Sequence, residues 1–388
     1  MLIRRATASL LVVALLPALA AVSPAEAAQD RRAPTTVTFT TKGWGHGKGL
    51  SQYGARNRAK AGQSWQKILR AYYPHTTLGS AHGTIRVLIT ADTSKDVRVL
   101  PTSGLTVRSL GADKSWRLPA KVRGKKVVSW RIQPTGKRSA ISFKAGSWHA
   151  WRSAKGDAEF SAGGHPIVLV TPAGRASYRG ILRSTLGNTV NLVSLDSYVR
   201  GVVPQEVPAS WPAAAVRAQA VAARTYAAFE RRVHRHTASY DLCDTSACQV
   251  YGGYGEEHPL ADAAVRATAG RIVTYDKQPA FAQFTSSNGG WSVDGGYPYL
   301  LAREDRFDKG SAGDPTSTKF TAAAITRNWP GIGDLVSIKV TERDGHGPYG
   351  GRATEVTVVG TNSTEKVSGA NLKRWLDLRE TLFKITTK

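Results

Sequence analysis

The residue pattern changes near residue 193, and this change limits the fold more than any other feature of the chain. From Gly83 to about Leu192, short β-branched runs are separated by Gly, Pro, Ser and Lys, which is typical of strands in a sheet sandwich or barrel. Residues 193–232 instead predict helices, and Pro212 stands at the first turn of a long Ala-rich one, a position that favours proline. The sequence therefore predicts an α+β fold.

The N-terminus has the organisation of a secretory signal peptide. Arg4 and Arg5 precede an apolar run over residues 6–22, and small residues then surround a site near Ala27; these are the three parts of such a signal. A membrane anchor is the alternative, but the run is shorter than the ~20 residues that a spanning helix needs. We expect residues 1–27 to be removed on export and the protein to act outside the cytoplasm.

The chain is strongly basic. It contains 53 Lys and Arg against 28 Asp and Glu, a net charge of +25, and the basic residues are densest between Arg108 and Lys155. Such a charge favours binding to polyanions. Nucleic acid is the general polyanionic partner, but an exported protein meets anionic wall polymers first, so we expect those polymers and no nucleic acid. Solubility alone is the alternative explanation of the charge.

The chain has two cysteines, Cys243 and Cys248. Outside the cytoplasm, a disulfide between them is the expected state. Two thiols cannot by themselves form a closed structural zinc site, which normally takes four ligands. His236 lies just upstream, so zinc held by His236, Cys243 and Cys248 is the alternative. The sequence predicts the disulfide, with no metal and no other cofactor.

Glu206 lies between two prolines, after a pair of valines and before Trp211. It follows a helix that is predicted to begin at Ser194 and to stop before Pro204. A carboxyl group in an apolar, partly desolvated position has a raised pKa, because burial disfavours its charged form, and a general acid needs a proton near neutral pH. A surface-loop glutamate is the alternative. The G-x-S-x-G and H-E-x-x-H motifs do not occur in the chain, which leaves serine-hydrolase and zincin chemistry without support.

The Ala-rich helix carries four polar side chains on two faces. Arg217 and Arg224 are seven residues apart and share one face, whereas Gln219 and Tyr226 share nearly the opposite one. The four side chains therefore cannot all line one site on a straight helix. A tightly packed core helix with two solvated arginines is the alternative to a binding role.

A glycine-rich segment, Gly43–Ala55, places glycine on both sides of Trp44 and His46. Glycine lets the backbone turn sharply or approach a ligand closely. An aromatic ring beside hydroxyl and amide groups, here those of Ser51 and Gln52, is suited to sugar recognition. The segment is not a phosphate-binding loop, because the G-x-x-x-x-G-K-[ST] pattern is absent. A tight structural turn with a satisfied histidine is the alternative.

Taken together, these three segments resemble the stage II sporulation protein D (SpoIID/LytB) family of peptidoglycan lytic transglycosylases. The resemblance is strongest from Tyr178 to Gly290. The motifs that carry it follow the family's order: Val190–Val199, Gly201–Pro208, Arg217–Ala227, Asp241–Gly253 and Phe284–Gly290.

The resemblance implies a role for each matched residue. Glu206 takes the place of the catalytic glutamate, which protonates the glycosidic oxygen of a MurNAc-GlcNAc bond. As a base, it then helps the C6 hydroxyl of the sugar to close the ring of 1,6-anhydroMurNAc. Arg217, Gln219 and Arg224 match glycan-contacting helix positions, and Thr285, Ser286 and Ser287 match a polar strand along the groove. The candidate glycan-binding residues also include Trp44, His46, Ser51 and Gln52.

The glycine-rich segment departs from the family's order, in which it lies near the C-terminus. We interpret this departure as a circular permutation, which is tolerated where termini are neighbours. Residues 36–78 should then pack beside 330–388, and the glycine-rich segment should close onto the part that holds Glu206. The predicted units are a signal peptide (1–27), a polar leader (28–35), the glycine-rich segment (36–80), a β-rich accessory module (81–175), the catalytic core (176–310) and its C-terminal α/β part (311–388).

The resemblance predicts an exported, cell-wall-associated lytic transglycosylase whose partners are peptidoglycan glycan strands and anionic wall polymers. A non-catalytic wall-binding protein or amidase enhancer is the first alternative, because a fold can persist after its activity is lost. A basic polyanion-binding protein without sugar chemistry is the second.

Overall fold

The computed structural model describes residues 33–235 and 239–388. The mixed α+β fold is confirmed, because helices and several sheets occur together in this part of the chain. The signal peptide, most of the leader and His236 lie outside the described residues. None of the described helices is long and apolar enough to cross a membrane. The helices are α1 (Gln52–Lys60), α2 (Trp65–Tyr72), α3 (Leu195–Glu206), α4 (Ala213–His234), α5 (Pro259–Ala267), α6 (Ala322–Thr326) and α7 (Gly369–Trp375).

The strands lie on both sides of the central helices in the chain. They are β1 (Thr36–Thr41), β2 (Leu50–Ser51), β3 (Thr77–Ser80), β4 (Thr84–Leu88), β5 (Val97–Val99), β6 (Thr106–Ser109), β7 (Lys114–Arg117), β8 (Lys121–Val122), β9 (Lys125–Lys126), β10 (Ser129–Thr135), β11 (Arg138–Ala145), β12 (Ser147–Lys155), β13 (Ala158–Ser161), β14 (Ile167–Thr171), β15 (Gly174–Tyr178), β16 (Ile181–Thr185), β17 (Asn188–Ser194), β18 (Leu242–Cys243), β19 (Arg271–Tyr275), β20 (Gln278–Pro279), β21 (Phe284–Thr285), β22 (Thr316–Thr321), β23 (Leu335–Arg343), β24 (Ala353–Gly360), β25 (Thr364–Ser368) and β26 (Phe383–Thr387).

Two large sheets form the strand-rich part. One has the strand order β12-β11-β10-β5-β14-β15 and the other β18-β4-β17-β16-β13-β6-β7. Buried side chains of both sheets, such as Trp130 and Phe160, belong to one hydrophobic cluster. A strand turns successive side chains to opposite faces, so each sheet has an apolar face, as the alternation along β4 shows. Part of that face is covered by the other sheet, where β16 contacts β10 and β5, and part by α3 and α4, which contact β4.

The boundary predicted at 175/176 does not separate two cores. β4, from the predicted accessory module, pairs with β17, from the predicted catalytic core, and Val87 lies opposite Asn191. The hydrophobic cluster that contains Ile85 continues to Ile272. The physical reason is that a strand buries its apolar face only together with its sheet neighbours, and the neighbours of β4 come from beyond residue 175.

Helix α3 does not stop before Pro204, as the sequence predicted, but continues through it to Glu206. A proline inside a helix removes one backbone donor and usually breaks the helix. Here Pro204 lies in the last turn of the helix. The carbonyl of Val203, just before it, still has a partner, because it accepts a hydrogen bond from the Val207 N–H at 3.1 Å. The extra turn carries the carboxyl group of Glu206 to the very end of the helix.

The two ends of the described chain meet in one small sheet. β1 is the central strand between β22 and β26, and Phe39 lies opposite Ile385. The Thr35 N–H also donates to the Lys388 carbonyl at 2.8 Å. The predicted packing of the N-terminal segment against the C-terminal part is therefore confirmed at these strands.

Candidate active site

A cleft of about 410 Å³ contains the candidate catalytic residue. Three segments and two helices meet there, namely the glycine-rich segment, the loop that follows the first cysteine, the residues around β21, the end of α3 and one face of α4. The lining residues are Trp44, Gly45, His46, Gln52, Glu206, Tyr226, residues 246–250 and residues 283–286. Within this described lining, Glu206 is the single carboxylate.

Glu206 is held from the opposite wall by Gln52. The Gln52 Nε2 donates a hydrogen bond to Glu206 Oε2 at 3.1 Å, across 154 positions of the sequence. Burial raises the pKa of Glu206 to about 7, and the hydrogen bond from Gln52 opposes part of that rise because it favours the charged form. The carboxyl group can therefore release and regain a proton near neutral pH.

Gln52 reaches the cleft because the first turn of α1 is fixed. The Ser51 hydroxyl accepts a hydrogen bond from the Gly54 N–H at 3.0 Å and caps the helix. Ser51 also lies opposite Thr285 in the parallel pairing of β2 with β21. Ser51 itself is fully buried and does not line the cleft, so its predicted contact with glycan is corrected to a structural role.

The glycine-rich segment lies directly against the backbone of residues 283–287. The Trp44 N–H donates to the Ser287 carbonyl at 2.9 Å, and Thr285 Oγ1 donates to the Trp44 carbonyl at 2.9 Å. Gly45 has a φ of +119°, and a Cβ at this position would lie 2.1 Å from Thr285 Oγ1. Only glycine fits there, which is the physical reason for the alternating glycines.

His46 and Trp44 project from this segment at the mouth of the cleft. His46 Nδ1 accepts a hydrogen bond from the Lys48 N–H at 3.0 Å. His46 is exposed at its outer side, but desolvation by its surroundings, together with the positive charges of Lys48 and Lys373, lowers its pKa to about 4, so the imidazole is neutral. The Trp44 ring is 46% exposed, with the Arg379 guanidinium 4.3 Å from its centre.

The arginine face of α4 is turned away from the cleft. Arg224 is fully buried, and its Nε donates to Asp196 Oδ1 at 2.7 Å while its Nη1 donates to the Arg271 carbonyl at 3.1 Å. Its predicted contact with glycan is therefore wrong. Arg217, on the same face, does not line the cleft either.

On the opposite face of α4, the residue predicted to contact glycan is not the one that lines the cleft. Gln219 is buried, with 1% of its surface exposed, and does not reach the cleft. Tyr226, two turns further on, lines it. The reason is geometric: a straight helix turns one stripe of side chains to a cleft, and the deeper residues of that stripe are covered by the core.

The polar strand predicted at 285–287 divides in the same way. Thr285 and Ser286 line the cleft, whereas Ser287 is 1% exposed. The Ser287 hydroxyl donates to Asp308 Oδ2 at 2.9 Å, so its role is structural. The three hydroxyl residues therefore do not form one continuous polar face of the cleft.

Cys243 and Cys248 are joined in a disulfide, as the sequence predicted. Cys248 lines the cleft with Ser246 and Gln249, so the covalent loop shapes one wall of the site. The third residue of the zinc alternative, His236, lies outside the described residues.

Several cleft residues were missed in the sequence. They are Tyr226, Gln283, Phe284 and residues 246–250. Tyr226 carries a signal that could have been used, because it is seven residues from Gln219 on a helix already singled out. Gln283 and residues 246–250 lie in irregular segments, and Phe284 lies in a strand of two residues, so no periodicity reveals the direction of these side chains.

The comparisons with known proteins match the central part of the chain. Residues 184–275 match the SpoIID family model, described as Stage II sporulation protein. Glu206 lies inside this range, whereas Gln52 and the glycine-rich segment lie outside it.

Three relatives are similar to parts of this chain. The amidase enhancer of Bacillus subtilis (strain 168) is 37% identical over 116 residues, which are 28% of this chain and 15% of that protein. Stage II sporulation protein D of Bacillus amyloliquefaciens is 26% identical over 245 residues, 57% of this chain and 67% of that protein. Stage II sporulation protein D of Bacillus subtilis (strain 168) is 32% identical over 160 residues, 36% of this chain and 46% of that protein. The chain thus spans less than half the length of both Bacillus subtilis proteins.

Proposed function

Because this chain belongs to the SpoIID family, we propose that it acts on the cell wall as a lytic transglycosylase of peptidoglycan glycan strands. The observation that carries the proposal is the position of Glu206. It is the single carboxylate that lines the described cleft, and its pKa is raised to about 7. A hydrolase of the usual two-carboxylate type needs a second acidic residue beside the glycosidic bond, and the described lining contains none.

The reaction needs one group that first donates and then accepts a proton, and Glu206 is that group in this proposal. Protonated Glu206 gives its proton to the glycosidic oxygen as the bond from that oxygen to C1 of the sugar breaks. The resulting carboxylate then takes the proton of the sugar's own C6 hydroxyl as O6 bonds to C1. The products are a free hydroxyl on the leaving sugar and a 1,6-anhydro ring, no water is consumed, and Glu206 ends as it began.

The neighbours of Glu206 support this cycle. Gln52 donates to one carboxylate oxygen at 3.1 Å and thereby orients the group and stabilises its charged state after the first proton transfer. The neutral His46 adds no charge to the cleft, and the Trp44 ring is 46% exposed with the Arg379 guanidinium 4.3 Å from its centre. Gln52 is accordingly a positioning residue, and Trp44 and His46 are candidate glycan contacts.

A second candidate is a wall-binding protein that enhances an amidase without cutting glycan. The observation in its favour is the 37% identity with the amidase enhancer. In this case the cleft would bind glycan strands, and the proton-transfer role of Glu206 would be unused. Export and association with the wall are part of both proposals.

The deciding experiment digests purified glycan strands, with and without stem peptides, and analyses the products by mass spectrometry. Wild type should release 1,6-anhydro ends, and Glu206→Gln should lower the rate by at least a hundredfold. Glu342→Gln, an exposed glutamate outside the cleft, is the matched control and should retain full activity.

Each other outcome has a definite meaning. Reducing ends in place of anhydro ends would show a hydrolase. Undiminished product from Glu206→Gln would refute the mechanism. Binding of glycan without any product, from wild type and on both substrates, would favour the amidase-enhancer role.

A further inference from the structure

Nearly half of the net positive charge lies in a region that the proposed chemistry does not use. Residues 81–175 contain seventeen Lys or Arg and five Asp or Glu, which is a net charge of +12 out of the chain's +25. The acidic side chains already have partners within the protein: Asp92 with Thr189, Asp96 with Arg98, Asp113 with Arg108, Asp157 with Thr185 and Glu159 with Arg183. The uncompensated charge is therefore carried by lysines and arginines.

The terminal strands of the two large sheets meet in this region. β7 ends the seven-stranded sheet, and β12 ends the six-stranded sheet. The Arg152 guanidinium of β12 lies 4.6 Å from the centre of the Trp151 ring and 5.5 Å from that of Trp116 on β7, so it connects the two edges. We call this surface the basic edge; it consists of Lys114, Trp116, Arg117, Trp151, Arg152 and Lys155.

The basic edge is cationic and accessible. Its four basic residues are all exposed, whereas the two tryptophans are partly buried beneath them. Within the described part of the chain, none of the four forms an ion pair. Their charges are therefore available to an external anion.

The indole rings hold cations in place and are not open platforms. Arg152 covers Trp116 and Trp151, and the Lys114 ammonium lies 5.9 Å from the centre of the Trp116 ring. A guanidinium stacked on a ring keeps its in-plane N–H groups for a second partner, and their fork matches the oxygens of a phosphate. A base or a sugar face would need the ring surface that these cations occupy.

We propose that the basic edge binds a linear polyol-phosphate polymer, that is, a flexible chain of repeating phosphodiester groups without bases. Four uncompensated cations along the edge strands of two sheets suit a partner that repeats its negative charge at short intervals. A neutral glycan would not compensate them. The proposal does not depend on the chemistry of Glu206.

Charged residues on edge strands also have a protective role, because they prevent pairing with another sheet. That role explains lysines on β7 and β12 but not the placement of Arg152 between two tryptophans. It also predicts a different result: loss of the charges would promote self-association and leave polymer binding unchanged.

The test measures the affinity of the purified protein for poly(glycerol phosphate) between 50 and 200 mM salt. The variant Lys114→Gln/Arg152→Gln/Lys155→Gln should weaken binding roughly tenfold at the lower salt concentration and reduce the slope of log K against log salt by about 2. The matched control is Lys60→Gln/Lys277→Gln/Lys339→Gln, three exposed lysines on other parts of the molecule. It removes the same net charge and should change the affinity by less than twofold.

Further measurements separate the alternatives. Equal weakening by both triple variants would overturn the proposal, because net charge alone would then explain binding. Tighter binding of a single-stranded DNA of equal charge would overturn it in favour of nucleic acid. Lys114→Gln/Lys155→Gln, which keeps Arg152 on its rings, should show an intermediate loss even if the triple variant folds poorly. Cleavage of polymer-free glycan strands should be the same in all variants that fold. A failure of the polymer-binding proposal can therefore be distinguished from a failure of the proposed glycan cleavage.

Discussion

Glu206 and His46 line the same cleft, and burial moves their pKa values in opposite directions. Burial disfavours charge on both side chains, so the pKa of Glu206 rises to about 7 while that of His46 falls to about 4. Of these two groups, only Glu206 changes its protonation state near neutral pH. Between these two cleft groups, it is therefore Glu206 on which the pH dependence of glycan cleavage around pH 7 should report.

Replacing Glu206 with glutamine should stabilise the protein at high pH. Because the pKa of Glu206 is raised in the folded state, the folded protein loses stability as the pH rises from about 4.5 to about 7. Glu206→Gln should therefore exceed wild type in free energy of unfolding by ~1–3 kcal/mol at pH 8 and match it at pH 4. Urea unfolding at the two pH values measures this difference. Equal stability at pH 8 would show that the carboxyl group is not desolvated.

Removing the amide of Gln52 should shift the pH profile of glycan cleavage. Its hydrogen bond lowers the pKa of Glu206, so in Gln52→Ala the pKa should rise and the alkaline fall of kcat/KM should move to higher pH. The maximal rate should drop by roughly tenfold, since the carboxyl group also loses its orientation. Gln278→Ala, an exposed amide outside the cleft, is the control. A lower rate with an unmoved profile would assign Gln52 to substrate contact alone.

At the scale of elements, the position of the glycine-rich segment depends on how closely two backbones approach. Gly45 lies against Thr285, and Gly49 lies so near the Gln283 carbonyl that a Cβ would be 2.0 Å from its oxygen. The close approach places β2 beside β21 and thereby brings the first turn of α1 to Glu206. The segment is thus a structural connection as well as a wall of the cleft.

Gly45→Ala should separate the segment from its neighbour, and Gly62→Ala provides a matched comparison. Both glycines have a positive φ, but a Cβ at Gly62 has nothing within 4 Å. Gly62→Ala should lose roughly 1 kcal/mol of unfolding free energy, which is the cost of placing a residue with a Cβ at a positive φ. Gly45→Ala should lose more, about 2 kcal/mol or above, and glycan cleavage should fall with it. Similar losses in the two variants would contradict the close-packing explanation.

The whole molecule is closed by the pairing of its ends. β1 inserts between β22 and β26, and its Val37 and Phe39 are fully buried in the C-terminal hydrophobic cluster. The N-terminal part of the described chain is therefore not an appendage, because it completes the sheet on which the C-terminal part folds. The circular permutation relative to the family remains a prediction, and the neighbouring ends satisfy its main geometric requirement.

A rearranged gene tests the permutation directly. Joining Lys388 to Thr35 through a short flexible linker and opening the chain between His82 and Gly83 would move the glycine-rich segment to the C-terminus. The rearranged protein should fold, because the ends are already hydrogen-bonded and the new opening lies between two exposed residues that connect β3 to β4. Its melting temperature and any glycan cleavage should stay close to those of wild type. Failure to fold would show that the present chain order is required.

Local signals in the sequence identified the features that depend on near neighbours. The beginning of α4 after Pro212, the strand alternation around Ile85 and the disulfide between two cysteines five positions apart all involve short-range effects. The prolines and valines around Glu206 left a surface-loop glutamate as the alternative, and its role as the acid came from the resemblance of the surrounding motifs to the SpoIID family. Propensity and periodicity act over a few residues, and these features require no more than that.

The tertiary structure decided which of the singled-out side chains share the cleft. It brought Gln52 to Glu206 over 154 positions, paired β1 with β26, and buried Arg224 against Asp196. Each of these contacts depends on how distant elements pack, so no pattern within one element reveals it. The sequence by itself determined the candidate acid and the class of fold; the environment that raises the pKa of that acid exists only where the packed segments exclude water.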